Sequence, residues 1–191
     1  MAITTINNRS INRSDTATSG QKWTATSATA SDFQAAGGGK ILQVVQSTNA
    51  YQKSSASTSS QDIESSSGVT WEPAITLSAT SSKILVLASI MWYTEGTSTA
   101  IDHRWWLRMN SKTGAGSYGA VVTNPYGGLY YYSAVRNDAA NFSQIMNQLI
   151  TPSSTDEIKI KFEYKSLSAS GYNLVINYGS TSSCTLLEVA G

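Results

Sequence analysis

From Lys40 onward, apolar and polar residues follow each other in the short alternating runs that are typical of β-strands. The clearest run lies within residues 156–164, where from Ile158 onward apolar residues occupy the even positions and charged residues occupy the odd ones. The apolar positions are Ile158, Ile160, Phe162 and Tyr164, and the charged positions are Lys159, Lys161 and Glu163. Successive side chains of a strand point to opposite faces, so this segment is predicted to have one buried and one solvated face. Residues 83–93 are nearly continuously apolar, which predicts a central strand.

Further strand-like segments are residues 41–46, 74–77, 104–109, 129–135, 173–178 and 184–189. Residues 142–150 fit a helical period in part, but the surrounding β pattern favours a strand. The Ser-, Thr- and Gln-rich residues 54–67 are predicted to form a long loop. Roughly eight to ten short strands separated by turn residues predict an antiparallel two-sheet sandwich, with jelly roll as the leading topology and less than about a tenth helix.

Residues 1–39 differ from the remainder in pattern, because their hydrophobic residues are too sparse for a core. We therefore expect two parts: an extended N-terminal arm, residues 1–39, and a sandwich body, residues 40–191, joined at the glycines 37–39. A disordered tail is the alternative. Trp23 and Phe33 favour docking on a partner, since a free tail gains nothing from large aromatic rings. An extended arm can add a strand to the edge of a partner's sheet.

Charged residues make up 13% of the chain and the net charge is +1. Such a chain has no strong field to attract nucleic acid or an anionic membrane, so neither is expected as a partner. A single cysteine, Cys184, excludes an intrachain disulfide. The sequence shows no signal-peptide pattern and no apolar run of membrane-spanning length, so we expect a soluble product made in a cytoplasm.

The residues for catalysis or metal binding are sparse. The single histidine, His103, follows Asp102, but neighbours in a strand point to opposite faces and do not form a catalytic pair. One cysteine and one histidine do not build a zinc site, and no calcium-loop pattern is present, although scattered carboxylates leave calcium open. We therefore expect a protein that is not an enzyme and has no catalytic residue, no cofactor and no metal site.

The densest cluster of aromatic and basic residues lies in residues 104–108, followed by a tyrosine-rich segment. The candidate interface or glycan-contact residues are Arg104, Trp106, Arg108, Tyr130 and Tyr132. Tryptophan beside arginine is typical of binding hot spots, which favours a subunit interface. Contact with a sugar ring is the second interpretation, and burial in the core is the third.

Three segments resemble virion surface proteins of aquatic tailed bacteriophages, which are labelled head-decoration or tail-fibre proteins. The segments are residues 39–46 (GKILQVVQ), 75–86 (ITLSATSSKILV) and 185–189 (TLLEV). Residues 11–17 and 23–29 are similar to arms found in such proteins. The resemblance implies a jelly roll like that of tumour-necrosis-factor-type trimers, without catalytic residues. Residues 101–141 match no motif of this family.

The resemblance implies a non-enzymatic structural protein: a homotrimeric knob on the virion surface, made in the host cytoplasm. Its arm would bind the major capsid protein or a tail component, so that the knob decorates or cements the capsid. The alternative is a tail-fibre or receptor-binding tip that contacts host surface glycans. A fibre normally contains heptads or another shaft repeat, and this sequence has none, which favours decoration. A polysaccharide lyase and a carbohydrate-binding module are the hypotheses outside the virion.

Overall fold

The computed structural model describes the backbone of residues 21–25, 31–35, 40–96, 103–121, 129–133, 140–166 and 172–191. Side chains are described for residues 40–93, 106–121, 142–166 and 174–191. Every regular element within these residues is a β-strand, so the all-β prediction is confirmed. The chain forms two compact units, Met1–Gly39 and Lys40–Gly191. The roles of these units as anchoring arm and body stay a prediction.

The first unit contains a pair of antiparallel strands, β1 (Gln21–Ala25) and β2 (Ser31–Ala35). In their register, Trp23 lies directly opposite Phe33. The two residues expected to anchor the arm are therefore cross-strand partners in the backbone ladder, although their side chains lie outside the described ones. Aromatic pairs at such positions are among the more favourable cross-strand pairs.

In the described residues of the second unit there are fourteen strands, of which six contain eight or more residues. The strands are β3 (Ile41–Asn49), β4 (Lys53–Ser55), β5 (Gln61–Asp62), β6 (Glu64–Ser66), β7 (Val69–Thr70), β8 (Ala74–Thr76), β9 (Lys83–Gly96), β10 (His103–Thr113), β11 (Gly119–Ala120), β12 (Leu129–Ser133), β13 (Ala140–Ile150), β14 (Glu157–Ser166), β15 (Tyr172–Ile176) and β16 (Ser182–Val189). Residues 142–150 lie within β13, so the choice of strand over helix is confirmed.

Two six-stranded antiparallel sheets form the body. In the first sheet β16 lies between β3 and β9, and β13 pairs with the other edge of β9. In the second sheet β10 and β14 are central and pair with each other. β11 and β12 pair with the other edge of β10, and β5 and β8 pair with the other edge of β14. The main strands therefore follow the orders β3–β16–β9–β13 and β8–β14–β10–β12. Along the chain these main strands alternate between the two sheets, except that β10 and β12 follow each other in the second sheet; this is the order of a jelly roll, as predicted.

The core lies between the inner faces of the two sheets. Ile158, Ile160 and Phe162 of β14 are buried together with Ile84 and Val86 of β9 in one hydrophobic cluster. The prediction that the alternating apolar residues of 156–164 are buried together is thus confirmed. Each of these side chains is at most 1% exposed. Full burial of a side chain of this size stabilises the fold by about 1.5–3 kcal/mol.

The prediction of a long loop over residues 54–67 is wrong. The segment contributes to β4, β5 and β6, each two or three residues long. These strands are held by edge pairing and by polar contacts: Lys53 forms an ion pair with Glu64, and Thr70 Oγ1 donates to Asp62 Oδ2 at 3.2 Å. Because the segment contains a single large apolar residue, Ile63, hydrophobic periodicity does not reveal such strands.

One acidic side chain, Glu188 of β16, lies on the inner face of the first sheet and is 1% exposed. Its Oε1 accepts hydrogen bonds from the backbone N–H of Ser78 at 2.8 Å and from the Ser78 hydroxyl at 2.6 Å. Burial alone would raise the pKa of Glu188, but these hydrogen bonds hold that pKa below its usual value. The carboxylate thereby ties the turn before β9 to β16.

We expect Glu188→Gln to lower the free energy of unfolding by about 1–3 kcal/mol, because a neutral amide replaces charge-assisted hydrogen bonds. A depressed pKa in the folded state contributes stability above the unfolded pKa of about 4.3 and loses it as pH falls through the folded value. The variant should therefore show a flatter loss of stability between about pH 6 and pH 3. Urea unfolding at one protein concentration measures both effects; equal acid slopes in the two proteins would contradict the assignment.

Candidate functional site

The outer face of the first sheet is made of uncharged side chains. Strand alternation places them in three rows that cross β3, β16, β9 and β13. We call this surface the uncharged face; its rows are Thr48, Ser183, Ser89 and Ile145; then Gln46, Thr185, Leu87 and Asn147; then Val44, Leu187, Leu85 and Leu149. Lys83 lies one row beyond, opposite Val189. Among the described side chains, the three rows contain no ionisable group.

Several apolar side chains of this face stand in solvent. Ile145 is 63% exposed and Leu149 50% on β13, while Val44 is 58% exposed on β3. Ile41 and Leu42 extend the apolar strip of β3, where a register irregularity brings Ile41 opposite Val189. A scattered exposed aliphatic residue is ordinary, but a continuous apolar patch marks an interaction surface.

A shallow depression of about 250 Å³ lies within the uncharged face. It opens over β9, with β13 on one side and β16 on the other; Leu87 and Thr185 line it together with Ile145 of β13. Asn147 and Ser183 supply polar atoms to the same lining. The depression therefore offers an apolar floor with uncharged hydrogen-bonding groups, which is a composition suited to another protein surface.

The outer face of the second sheet has the opposite character, because its central strands carry charges that pair across the ladder. Glu163 Oε2 lies 2.7 Å from Arg108 Nη2, and Glu163 Oε1 lies 2.9 Å from Lys161 Nζ. Lys161 also contacts Asp62 Oδ1 at 2.8 Å. Burial would raise the pKa of Glu163, but Lys161 and Arg108 hold it below its usual value. Burial would lower the pKa of Lys161, and its two carboxylate partners raise it instead.

Tyr118 extends this network on the same sheet. Its hydroxyl donates to Glu72 Oε1 at 2.6 Å, and Lys112 Nζ and Lys161 Nζ lie 4.6 Å and 4.8 Å from its ring centre. Burial and the bond to Glu72 raise the pKa of the Tyr118 hydroxyl, while that bond lowers the pKa of Glu72. Lys159 approaches Glu72 at 3.4 Å. We call the surface formed by Asp62, Glu72, Arg108, Lys112, Tyr118, Lys159, Lys161, Glu163 and Lys165 the charged face.

Trp106 is 5% exposed and lies on the charged face of β10 between two cations. The Arg108 guanidinium and Lys165 Nζ lie 5.0 Å and 4.9 Å from its ring, in cation–π contact. Two of the five candidate contact residues, Trp106 and Arg108, are thus engaged with neighbours in their own sheet. Whether they also contact a subunit or a glycan stays a prediction.

The other three candidate contact residues are placed by backbone register. Arg104 lies opposite Tyr132, and Trp106 lies opposite Tyr130, where β10 pairs with β12. The structure therefore brings all five candidates to one end of the second sheet. The side chains of Arg104, Tyr130 and Tyr132 lie outside the described ones.

The side chains of the two candidates for acid–base chemistry lie outside the described ones. His103 begins β10, with its side chain outside the described part, and Asp102 lies outside the described residues altogether. No group of three or more described His, Cys, Asp or Glu side chains is arranged to hold a metal ion. Burial raises the pKa of the Cys184 thiol to about 12, so it is an inert core residue. In the described ranges, no helix has the length and apolar character that a membrane crossing requires.

The sequence did contain a signal for the uncharged face that its interpretation missed. Residues 83–93 are apolar at both odd and even positions, a pattern that predicts a central strand. β9 is indeed central within its sheet, but Leu87 on its outer side is 38% exposed. Apolar residues at successive outer positions of one strand are a sequence signal for an apolar patch on the outside of a two-layer sandwich.

Comparisons with known proteins identify no family for this chain. No protein-family model and no curated protein matches it. Among solved structures, one of the infectious bursal disease virus Gx strain aligns over 88% of this chain and 36% of its own, with 11% identity and a TM-score of 0.39. The VP2 subviral particle of the same virus aligns over 88% and 42%, with 12% identity and a TM-score of 0.35. The chain spans less than half the length of either of these two proteins. Because both TM-scores are below 0.5, the fold is assigned from the strand order of this chain.

We expect Glu163→Gln to lower the free energy of unfolding by about 1–3 kcal/mol, because Arg108 and Lys161 lose the carboxylate that lies between them. The matched control is Glu157→Gln, whose side chain is 53% exposed and lies 3.6 Å from Lys159. An exposed pair of this kind contributes at most about 1 kcal/mol. Urea unfolding of both variants measures the difference; equal losses would show that the charged face is not a cooperative network.

Proposed function

We propose that this chain is a non-enzymatic structural protein of a tailed-phage virion that forms a homotrimeric knob on the particle surface. The observation that carries the proposal is the unequal distribution of charge between the two sheets. One outer face holds a network of ion pairs, and the other holds uncharged and exposed apolar residues. A protein with one charged face and one uncharged face that exposes apolar residues is suited to associate through the uncharged face.

The uncharged face supports self-association because little opposes its burial. Removing a charge from water is costly unless it is paired, and the three rows of this face carry none in the described part. Serine, threonine and asparagine side chains among the aliphatic ones supply hydrogen bonds without charge. Most soluble oligomers consist of identical copies with closed symmetry, which makes a second copy of this chain the natural occupant.

The virion assignment is supported by the resemblance of residues 39–46, 75–86 and 185–189 to surface proteins of tailed phages. In the structure, the first of these segments lies largely in β3, the second crosses from β8 to the start of β9, and the third ends β16. β3, β16 and β9 are neighbours in the first sheet, whereas β8 belongs to the second sheet, so the resemblance covers three adjacent strands of one sheet and one strand of the other.

The arm is proposed to attach the knob to the major capsid protein or to a tail component, with Trp23 and Phe33 as its anchors. Burying one such ring is worth roughly 2–3 kcal/mol, whereas ordering the backbone costs about 1–2 kcal/mol per residue. One arm therefore binds weakly, and three arms on one trimer bind with much higher avidity. This arrangement suits decoration or cementing of a capsid lattice.

A tail-fibre or receptor-binding tip is the second candidate function. It is favoured by the register of β10 and β12, which places Arg104 opposite Tyr132 and Trp106 opposite Tyr130. Aromatic and cationic residues grouped at one end of a sheet suit contact with a host surface glycan. The deep burial of Trp106 between Arg108 and Lys165 reduces its availability for that contact.

We expect the purified full chain to be a trimer at micromolar concentration, because covering the exposed apolar side chains of the uncharged face is favourable. Light scattering coupled to size-exclusion chromatography measures the mass directly. A clean monomer under these conditions would refute the proposed knob.

We expect deletion of residues 1–39 to leave a folded trimer that no longer joins particles, since Met1–Gly39 is a separate compact unit. Circular dichroism and light scattering check the fold and mass of the truncated chain, and co-sedimentation with particles that lack the protein checks attachment. Normal decoration by the truncated trimer would place the attachment site on the body.

A further inference from the structure

Two parts of the uncharged face differ in shape. At one edge, β3 carries the exposed side chains Ile41, Leu42 and Val44, which we call the β3 ridge. Toward the other edge, β9, β13 and β16 surround the depression of about 250 Å³, which we call the β13 groove. Val44 of the ridge lies on the same side of the sheet as the groove, because it shares a row with Leu187 and Leu85, next to the row that contains Thr185 and Leu87.

We propose that the β3 ridge of one copy packs into the β13 groove of the next copy, so that three sheets close around a threefold axis. The inference rests on the proposed homotrimer and names the surface that forms it. When three sheets face a common axis, each sheet meets two neighbours, one with each half. The half that carries β3 therefore meets the half that carries β13, which is a heterologous contact that closes into a ring.

The choice of β3 as the inserted element follows from the walls of the groove. Ile145 and Thr185 already line the groove of their own copy and cannot also fill it. The remaining strongly exposed apolar side chains of the face are those of β3, together with Leu149 at the margin. Val44 and Ile41 are 58% and 53% exposed, so they are free to enter a neighbour's surface.

The chemistry of the two surfaces agrees with this contact. Neither the ridge nor the groove contains an ionisable group among its described side chains, so neither surface buries a charge of its own. Lys83 lies two strands away from Ile41 in the same row. Asn147 and Ser183 lie in the groove lining and offer hydrogen bonds to backbone groups of an inserted edge strand. β3 is such a strand, since within the described residues it pairs with β16 alone.

The first test places a charge on the ridge. Val44→Lys should raise the dissociation constant of the trimer by about a hundredfold, because the ammonium would be buried without a partner. Val69→Lys is the matched control: Val69 is 53% exposed, against 58% for Val44, and belongs to the β6–β7 hairpin rather than to the uncharged face. Analytical ultracentrifugation over a concentration series measures both variants, with circular dichroism to confirm that each is folded.

The second test counts the copies in the ring. In the double variant Val44→Cys with Ile145→Cys, a short bismaleimide should link ridge to groove and yield covalent species up to trimers and no larger. The native Cys184 does not interfere because it is fully buried. Each single cysteine variant should remain unlinked, since ridge does not meet ridge and groove does not meet groove.

The outcomes separate this inference from the function on which it rests. A monomeric wild-type chain would refute both the proposed trimer and the proposed interface. A trimeric wild type whose mass is unchanged by Val44→Lys would keep the trimer and overturn the ridge-and-groove contact. Covalent dimers alone would indicate a twofold pair, a ladder beyond three would indicate an open chain, and no cross-linking would show that the two surfaces do not meet; each overturns the proposal.

Discussion

Burial of one apolar layer between two sheets is the constraint on which the rest of this structure depends. Ile158, Ile160 and Phe162 of β14 and Ile84 and Val86 of β9 occupy that layer. Because strand residues alternate, fixing these side chains inward also fixes every second residue outward. The ion pairs of the charged face and the aliphatic rows of the uncharged face are both consequences of that register. A shift of one residue in β9 or β14 would exchange core and surface together.

The two outer faces of the sandwich differ in how their side chains interact. On β10 and β14 the cations and carboxylates neutralise each other within the chain, as Arg108, Glu163 and Lys161 do. Such a surface is well solvated and has little need of a partner. The first sheet has no such network in its three rows, and Ile145 and Val44 stand exposed there. A low total charge therefore does not mean a uniformly neutral surface; the ion pairs around Glu163 and Lys161 lie on one side of the sandwich.

Much of the fold could be predicted from the sequence because alternation is a local signal. Residues 156–164 showed it plainly, and β14 buries the residues that the pattern selected. The short strands β4, β5 and β6 could not be predicted, since they are held by edge pairing and polar contacts such as that of Lys53 with Glu64. The candidate cluster around Trp106 was recognised from its residue types, but its cation–π contacts with Arg108 and Lys165 depend on the β10–β14 register. The uncharged face was not predicted, because a nearly continuous apolar run does not show whether another layer covers the outer side of β9, where Leu87 lies.

The pairing of β3 with β16 joins segments that are far apart along the chain: Val45 lies opposite Leu186, and Gln46 lies opposite Thr185. Contacts of such high sequence separation carry a large cost in loop-closure entropy, which slows folding. The uncharged face combines these two strands with β9 and β13, so it does not exist until the last of them is in place. During synthesis, a nascent chain that lacks β16 cannot offer this surface to another copy. Formation of the uncharged face is thereby coupled to completion of the sheet.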